Sequence, residues 1–214
     1  MIRLAYLHGF ASGPGSTKAQ HFKARFAELG TTLEVPDLAP DFTHMTIGSM
    51  LAIIDTILAG GPAVLLGSSL GGYLAALAAV RHPDRVPGLV LMAPAFGFVA
   101  RWEQSVGERR MAAWRRRGTL PVYHYGRRRE EPLSIALVDE ARGFEDEPDP
   151  SCPALVLHGR RDDSVPLETG EAFVARRPDR RRLVVYDAGH ELTEVLDQLW
   201  DESLRFLRTL GVVT

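Results

Sequence analysis

The chain has 214 residues, 45% hydrophobic and 24% charged, with a formal net charge of −2. Those values exclude collagen-like, low-complexity and disordered classes, and the length is enough for one core without disulfide staples. The near-neutral charge argues against a general nucleic-acid binder, and no run of about 18 apolar residues exists to span a membrane. We therefore expect one globular domain over residues 1–214. The start, Met1 to Leu7, reads as a strand rather than a signal peptide. The single cysteine, Cys152, excludes an intramolecular disulfide and, lying before Pro153 at a strand start, reads as a structural thiol. A cytoplasmic setting is the expectation. Oligomeric state is not encoded legibly.

Ile2 to Leu7 is an apolar run that ends at His8-Gly9-Phe10 and a Gly/Ser/Pro loop. A helix from about Thr17 to Leu29 follows, with Phe22, Phe26 and Leu29 at core spacing and Thr17 and Gln20 at capping-box spacing. Thr32 to Val35 is a second strand, and Thr46 to Ala59 a helix stopped by Gly60-Gly61. Ala63 to Leu66 is a third strand, followed by a helix to about His82; Gly88 to Met92 is a fourth. Residues from about 95 to 150 break this rhythm. It resumes with a strand at Ala154 to Leu157, a helix from Leu167 to about Arg176, a strand at Arg182 to Tyr186 and a helix from Glu191 to Leu210. Strands alternating with helices predict a doubly wound, mostly parallel sheet of about six strands. Chemistry in such sheets collects beyond the carboxyl ends of the strands.

At one such end stands Gly67-Ser68-Ser69-Leu70-Gly71. Gly-x-Ser-x-Gly between a strand and a helix has the spacing of a nucleophile elbow, in which a strained turn exposes the serine. Ser68 lacks the flanking glycines, so Ser69 is the candidate nucleophile. The helix start behind it offers unpaired N–H groups where a tetrahedral intermediate carries negative charge. Another strand end carries Gly189-His190, and a third carries Asp162-Asp163 before Val165-Pro166. Serine, acid and histidine in that chain order give nucleophile, orienting carboxylate and proton carrier. Asp162 is the preferred acid over Asp163, with Asp187 read as a turn residue. The backbone N–H groups of Phe10 and Leu70 are the candidate oxyanion donors. His8 and His158 are expected to pack or to hydrogen-bond loops, and no metal-ligand spacing appears. The loop before Lys18 lacks the Gly-Lys-Ser/Thr of a phosphate cradle.

His8-Gly9-Phe10-x-Ser12-x-Pro14-x-Ser16-x-Lys18 together with Gly67-Ser68-Ser69-Leu70-Gly71-Gly72-Tyr73 resembles a family of small bacterial esterases of the α/β-hydrolase superfamily. The resemblance implies an α/β-hydrolase fold and a serine hydrolase of acyl esters that needs no cofactor. Its small-molecule ester substrate would carry small to medium acyl groups. A thioesterase or acyltransferase would use the same residues, and a non-catalytic binding protein would use the same scaffold.

In this superfamily the segment at about 95–150 corresponds to a short cap-like insert. Residues 101–129 carry nine arginines, and residues 130–149 eight acids. Such blocks form solvated faces that pair with each other, or here a basic lip for an anionic substrate. Phe96, Phe98, Trp102, Met111, Trp114, Tyr123 and Tyr125 are candidates for an acyl pocket or for the insert's own core. Pro132 to about Glu140 reads as a helix, and Glu145 to Pro150 as an acidic linker.

Overall fold

Strands that carry a continuous apolar run, rather than an apolar residue at every second position, are buried on both faces. In the computed structural model, which describes residues 2–213, β1 (Arg3–Leu7), β3 (Ala63–Ser68), β4 (Leu89–Met92) and β7 (Ala154–Gly159) are such strands. With β2 (Leu33–Glu34) and β8 (Arg181–Tyr186) they form one parallel sheet in the order β2-β1-β3-β4-β7-β8. Successive side chains point to opposite faces. Ala5, Leu65, Leu91 and Val156 therefore enter one apolar cluster, and Tyr6, Leu66, Val90 and Leu157 the other. The first cluster is covered by α2 (Ile47–Ala59), α3 (Leu70–Arg81) and α7 (Leu167–Ala175), the second by α1 (Thr17–Glu28) and α8 (Leu196–Thr209). This is the six-stranded, doubly wound α/β sheet that the alternation predicts. Its strand order reverses between β1 and β3, so the loops after these two strands flank the switch point. No helix of the described residues is long and apolar enough to cross a membrane.

Several local expectations are corrected. Thr17 and Gln20 form no capping box: Ser16 is the N-cap of α1, no side chain caps it, and Gln20 Nε2 donates to the Pro14 carbonyl instead. The capping box belongs to α2, where Thr46 and Ser49 exchange hydrogen bonds. Leu29 lies just past α1 and is 44% exposed, while Phe22 and Phe26 are buried against Trp200 of α8. The last helix starts at Leu196 rather than Glu191. Leu192 adopts a left-handed φ of 55° and a 3₁₀ turn occupies Thr193–Val195, which turns the chain around His190 before the helix begins.

The insert holds α4 (Phe98–Val106), α5 (Glu108–Arg117), an antiparallel hairpin of β5 (Thr119–His124) and β6 (Arg129–Ser134), and α6 (Ala136–Ala141). The helix expected from Pro132 is thus a strand at its start, with Pro132 opposite Pro121 in the hairpin. Proline supplies no N–H to a ladder but is tolerated where a strand is an edge, and both strands here are edges. Leu133 anchors the hairpin: its side chain is buried and its carbonyl accepts from Trp114 Nε1 at 2.9 Å. The hairpin leans on the loops after β1 and β2, with Tyr125 N–H donating to Ala11 and Ser134 N–H to Thr43. The charge blocks pair with each other only in part: Arg115 with Asp139, and Arg127 and Arg129 with Glu131, whereas Glu147 and Asp149 pair with Arg176, Arg177 and Arg181 outside the insert. Glu103 meets both Arg115 and Arg142, and Arg142 also meets Asp139.

Candidate active site

Ser69 is held at φ 52° and ψ −115°, a region that L residues avoid and that costs about 1–3 kcal/mol. The surroundings over-determine the turn. Ser69 N–H donates to Met92 of β4, and the Ser69 carbonyl accepts from Gly72, Tyr73 and Ala95 N–H. The glycines make room for it. A Cβ on Gly71 would lie 2.1 Å from the Leu7 carbonyl oxygen, and one on Gly67 would lie 2.4 Å from that of Gly71. The start of α3 is therefore pressed on the end of β1, which is what exposes the serine above the sheet.

His190 reaches Ser69 from the loop after β8. Its Nε2 lies 3.0 Å from Ser69 Oγ and its Nδ1 lies 2.8 Å from Asp162 Oδ2. A carboxylate only accepts, so Nδ1 carries the proton and Nε2 is left to accept from the serine hydroxyl. Asp162 stands in the loop after β7, its side chain fully buried. Its Oδ1 accepts from Ser164 and Val165 N–H at 2.9 and 2.8 Å, an Asx-type turn that aims Oδ2 inward. Burial alone would raise its pKa; hydrogen bonds from His158, His190 and Val165 outweigh that and hold it well below the usual carboxylate range. Asp163, in contrast, meets Ser164 Oγ, and Asp187 pairs with Arg161.

Two polar residues behind this row were not assigned a site role from sequence. His158 Nε2 lies 2.9 Å from the Val165 carbonyl and 3.3 Å from Asp162 Oδ2; facing two acceptors, it is the protonated nitrogen. His158 thus hydrogen-bonds a loop as expected, and the loop it holds is the one carrying Asp162. Its signal in the sequence is the strand-ending His158-Gly159 before the acidic loop. Lys18, buried in the first turn of α1, donates to the Glu191 carbonyl and lies 3.2 Å from Glu191 Oε2. It ties the loop of His190 to α1. His8 takes the packing role expected of it, accepting from Leu38 N–H at 3.0 Å.

A cleft of about 570 Å³ opens over Ser69 and His190. Phe10 and Leu70 line it. Leu70 is the first residue of α3, so its N–H has no intrahelical acceptor. A Cβ on Gly9 would lie 3.4 Å from Ser69 Cβ, which brings the Phe10 loop alongside the serine. Of the apolar candidates, Phe98 and Trp102 line the cleft, whereas Phe96, Met111 and Trp114 are buried in the core and Tyr123 and Tyr125 are exposed. Among the described residues, no cluster of three or more His, Cys, Asp or Glu is arranged to hold a metal ion.

A parallel sheet with this strand order, a strained serine between β3 and α3 and a histidine–carboxylate pair from the loops after β8 and β7 define an α/β-hydrolase-fold protein. Residues 3–206 match the group described as "Uncharacterised protein family (UPF0227)", and the chain belongs to that family. It is 30% identical over 181 residues to "Palmitoyl-protein thioesterase ABHD10, mitochondrial" of Bos taurus, an alignment covering 78% of this chain and 58% of that protein. The chain thus spans under two thirds of the relative's length. Among solved structures, mouse alpha/beta hydrolase domain-containing protein 10 aligns with a TM-score of 0.78 at 20% identity, covering 97% of this chain and 90% of the other. Est1E from Butyrivibrio proteoclasticus, with ferulic acid bound, aligns with a TM-score of 0.82 at 19% identity, covering 98% and 89%. At these identities the two structural likenesses concern the fold.

Proposed function

We propose that the protein is a serine hydrolase that cleaves carboxylic esters of small to medium acyl groups through an acyl-enzyme. The observation that carries this reading is the continuous row Ser69 Oγ, His190 Nε2, His190 Nδ1 and Asp162 Oδ2, with contacts of 3.0 and 2.8 Å, at the floor of a cleft. Ser69 Oγ attacks the substrate carbonyl carbon while His190 Nε2 takes the hydroxyl proton. The carbonyl oxygen gains the negative charge and is held by the Phe10 and Leu70 N–H groups. Collapse of the tetrahedral intermediate breaks the bond to the leaving group, which receives the proton from His190. Water, deprotonated by the same nitrogen, then releases the acid and restores Ser69. Asp162 keeps Nδ1 protonated and stabilises the imidazolium formed in each half.

A cleft of about 570 Å³ lies in the range of small-molecule sites, which supports small to medium acyl groups. The same chemistry cleaves thioesters, and the name of the bovine relative favours that second reading. The test is turnover of a p-nitrophenyl ester series from acetate to palmitate beside an acyl-thioester series, with wild type and Ser69→Ala. The reading expects ester turnover that declines with chain length and is abolished in Ser69→Ala. Faster thioester turnover transfers the assignment to the second reading. Turnover that survives in Ser69→Ala refutes both.

A further inference from the structure

One wall of the cleft is a face of α4. Phe98, Arg101, Trp102 and Ser105 line it, at the i, i+3, i+4, i+7 spacing of a single helix stripe. Phe98 and Trp102 lie 5.1 Å apart between ring centres, and Phe10 meets Trp102 edge-on at 4.9 Å, so the wall is aromatic. Arg101 is the only lysine or arginine among the lining residues. Of the insert's nine other arginines, Arg115, Arg127, Arg129 and Arg142 are ion-paired to carboxylates, and the remaining five do not line the cleft. The Arg101 guanidinium, among the described residues, has neither an ion pair nor a side-chain hydrogen bond.

The acids around it are committed elsewhere or stand off. Asp162, Asp146 and Glu147 act on Arg101 electrostatically, against the burial that lowers its pKa. Asp162 already accepts hydrogen bonds from the His190 ring and from Ser164 and Val165 N–H, and Glu147 pairs with Arg176 at 3.6 Å. Asp146 is exposed and makes no ion pair within the described residues. Nη1 of Arg101 also sits beside Gly97: a Cβ there would lie 3.0 Å from it. Gly97 is the N-cap of α4, and no side chain caps that helix. Guanidinium and helix start are thus two positive ends in one place, an arrangement that favours an anion. A half-buried cation in an aromatic wall, without a bonded acid, is stabilised when an anion arrives.

We propose that Arg101 sets the specificity of the site: the preferred substrates carry a carboxylate that seats on its guanidinium while the scissile carbonyl lies against Ser69. This rests on the serine-hydrolase reading above. Asp163 also lines the cleft and repels the same anion, which confines the carboxylate to the α4 side. The other arginines of the segment form no lip over the cleft.

The carboxylate can belong to the acyl part or to the alcohol part, so the test has two arms. In the first, monoethyl adipate is compared with ethyl hexanoate; in the second, 4-acetoxybenzoate is compared with 4-methylphenyl acetate. The quantity read is the ratio of kcat/KM for the anionic ester to that for the neutral one, in wild type, Arg101→Gln and Arg101→Lys, each checked for fluorophosphonate labelling of Ser69. The expected result is a wild-type ratio of at least about 10 in one arm, which identifies where the anion sits. Arg101→Gln then lowers that ratio about 10- to 100-fold, and Arg101→Lys restores part of it. A wild-type ratio near one in both arms, with neutral esters turned over, overturns this inference and leaves the hydrolase reading intact. A ratio that the Gln variant does not change overturns it too. No labelling of Ser69 and no turnover of any of the four esters sinks the hydrolase reading and this inference with it.

Discussion

Replacing Asp162 by Asn tests the site with a change of one group. The carboxylate receives His190 Nδ1–H at 2.8 Å and His158 Nε2–H at 3.3 Å on one oxygen, and two backbone N–H groups on the other. An asparagine can keep its oxygen towards only one of these pairs. With the oxygen on Ser164 and Val165, its NH₂ faces His190 and forces Nδ1 to accept. Nε2 is then the protonated nitrogen and cannot take the Ser69 proton. A wrong tautomer of this kind costs about 10⁴-fold in kcat, on the order of 5 kcal/mol of transition-state stabilisation. With the oxygen on His190 instead, the NH₂ meets two backbone donors, and stability falls by about 1–3 kcal/mol. Asp163→Asn, which disturbs the contact with Ser164 Oγ and removes one charge from the cleft lining, should change kcat/KM for this neutral ester by less than about threefold. The assay is p-nitrophenyl acetate turnover for both variants beside thermal unfolding. The folded-state pKa of Asp162 is held below its ordinary 3.8, so its stabilising contribution is complete above about pH 5 and is lost as pH falls below about 4. The stability gap between wild type and Asp162→Asn should therefore narrow on acidification. Loss of activity in Asp163→Asn, with Asp162→Asn within tenfold of wild type, refutes the assignment.

Three further outcomes are expected. Gly71→Ala places a Cβ 2.1 Å from the Leu7 carbonyl oxygen, a backbone atom that cannot yield without moving β1, so the variant should lose about 3 kcal/mol or more by chemical denaturation. An unchanged denaturation midpoint contradicts the elbow packing. Lys18→Met removes the ammonium that binds the Glu191 carbonyl, leaving that group short of a partner in the loop of His190. Its kcat should fall by about tenfold while KM changes little; equal losses in both would mean that Lys18 does not act through His190. Burial pushes the Cys152 thiol up to about 11. Folded protein at pH 8 should therefore react with a maleimide orders of magnitude more slowly than unfolded protein, and equal rates would refute the burial.

The parts of this molecule that sequence makes legible are those fixed locally. The elbow needs a strand, two glycines and a helix within ten residues, and the two other site residues sit in loops directly behind apolar runs. The choice between Asp162 and Asp163 lies in a finer feature, the two N–H groups of Ser164 and Val165 that turn one carboxylate inward. Lys18 and Glu191 meet across 173 positions, a pairing no local pattern announces. The hairpin of β5 and β6 was hidden because both strands contain proline and β6 opens on the charged run Arg129-Glu130-Glu131, signals that ordinarily speak against a strand. Arg101 was hidden among nine arginines; only the packing of α4 distinguishes it from those that are ion-paired. The helix expected from Glu191 failed at Leu192, where the chain turns in the loop that presents His190.

The most direct test of the central claim is fluorophosphonate labelling of the folded wild-type protein, with the modified peptide mapped by mass spectrometry. A serine activated by His190 predicts one label, on Ser69, that is lost in Ser69→Ala and in His190→Ala. Folded protein that takes no label, or takes it on another residue, contradicts the claim that this site is a serine hydrolase.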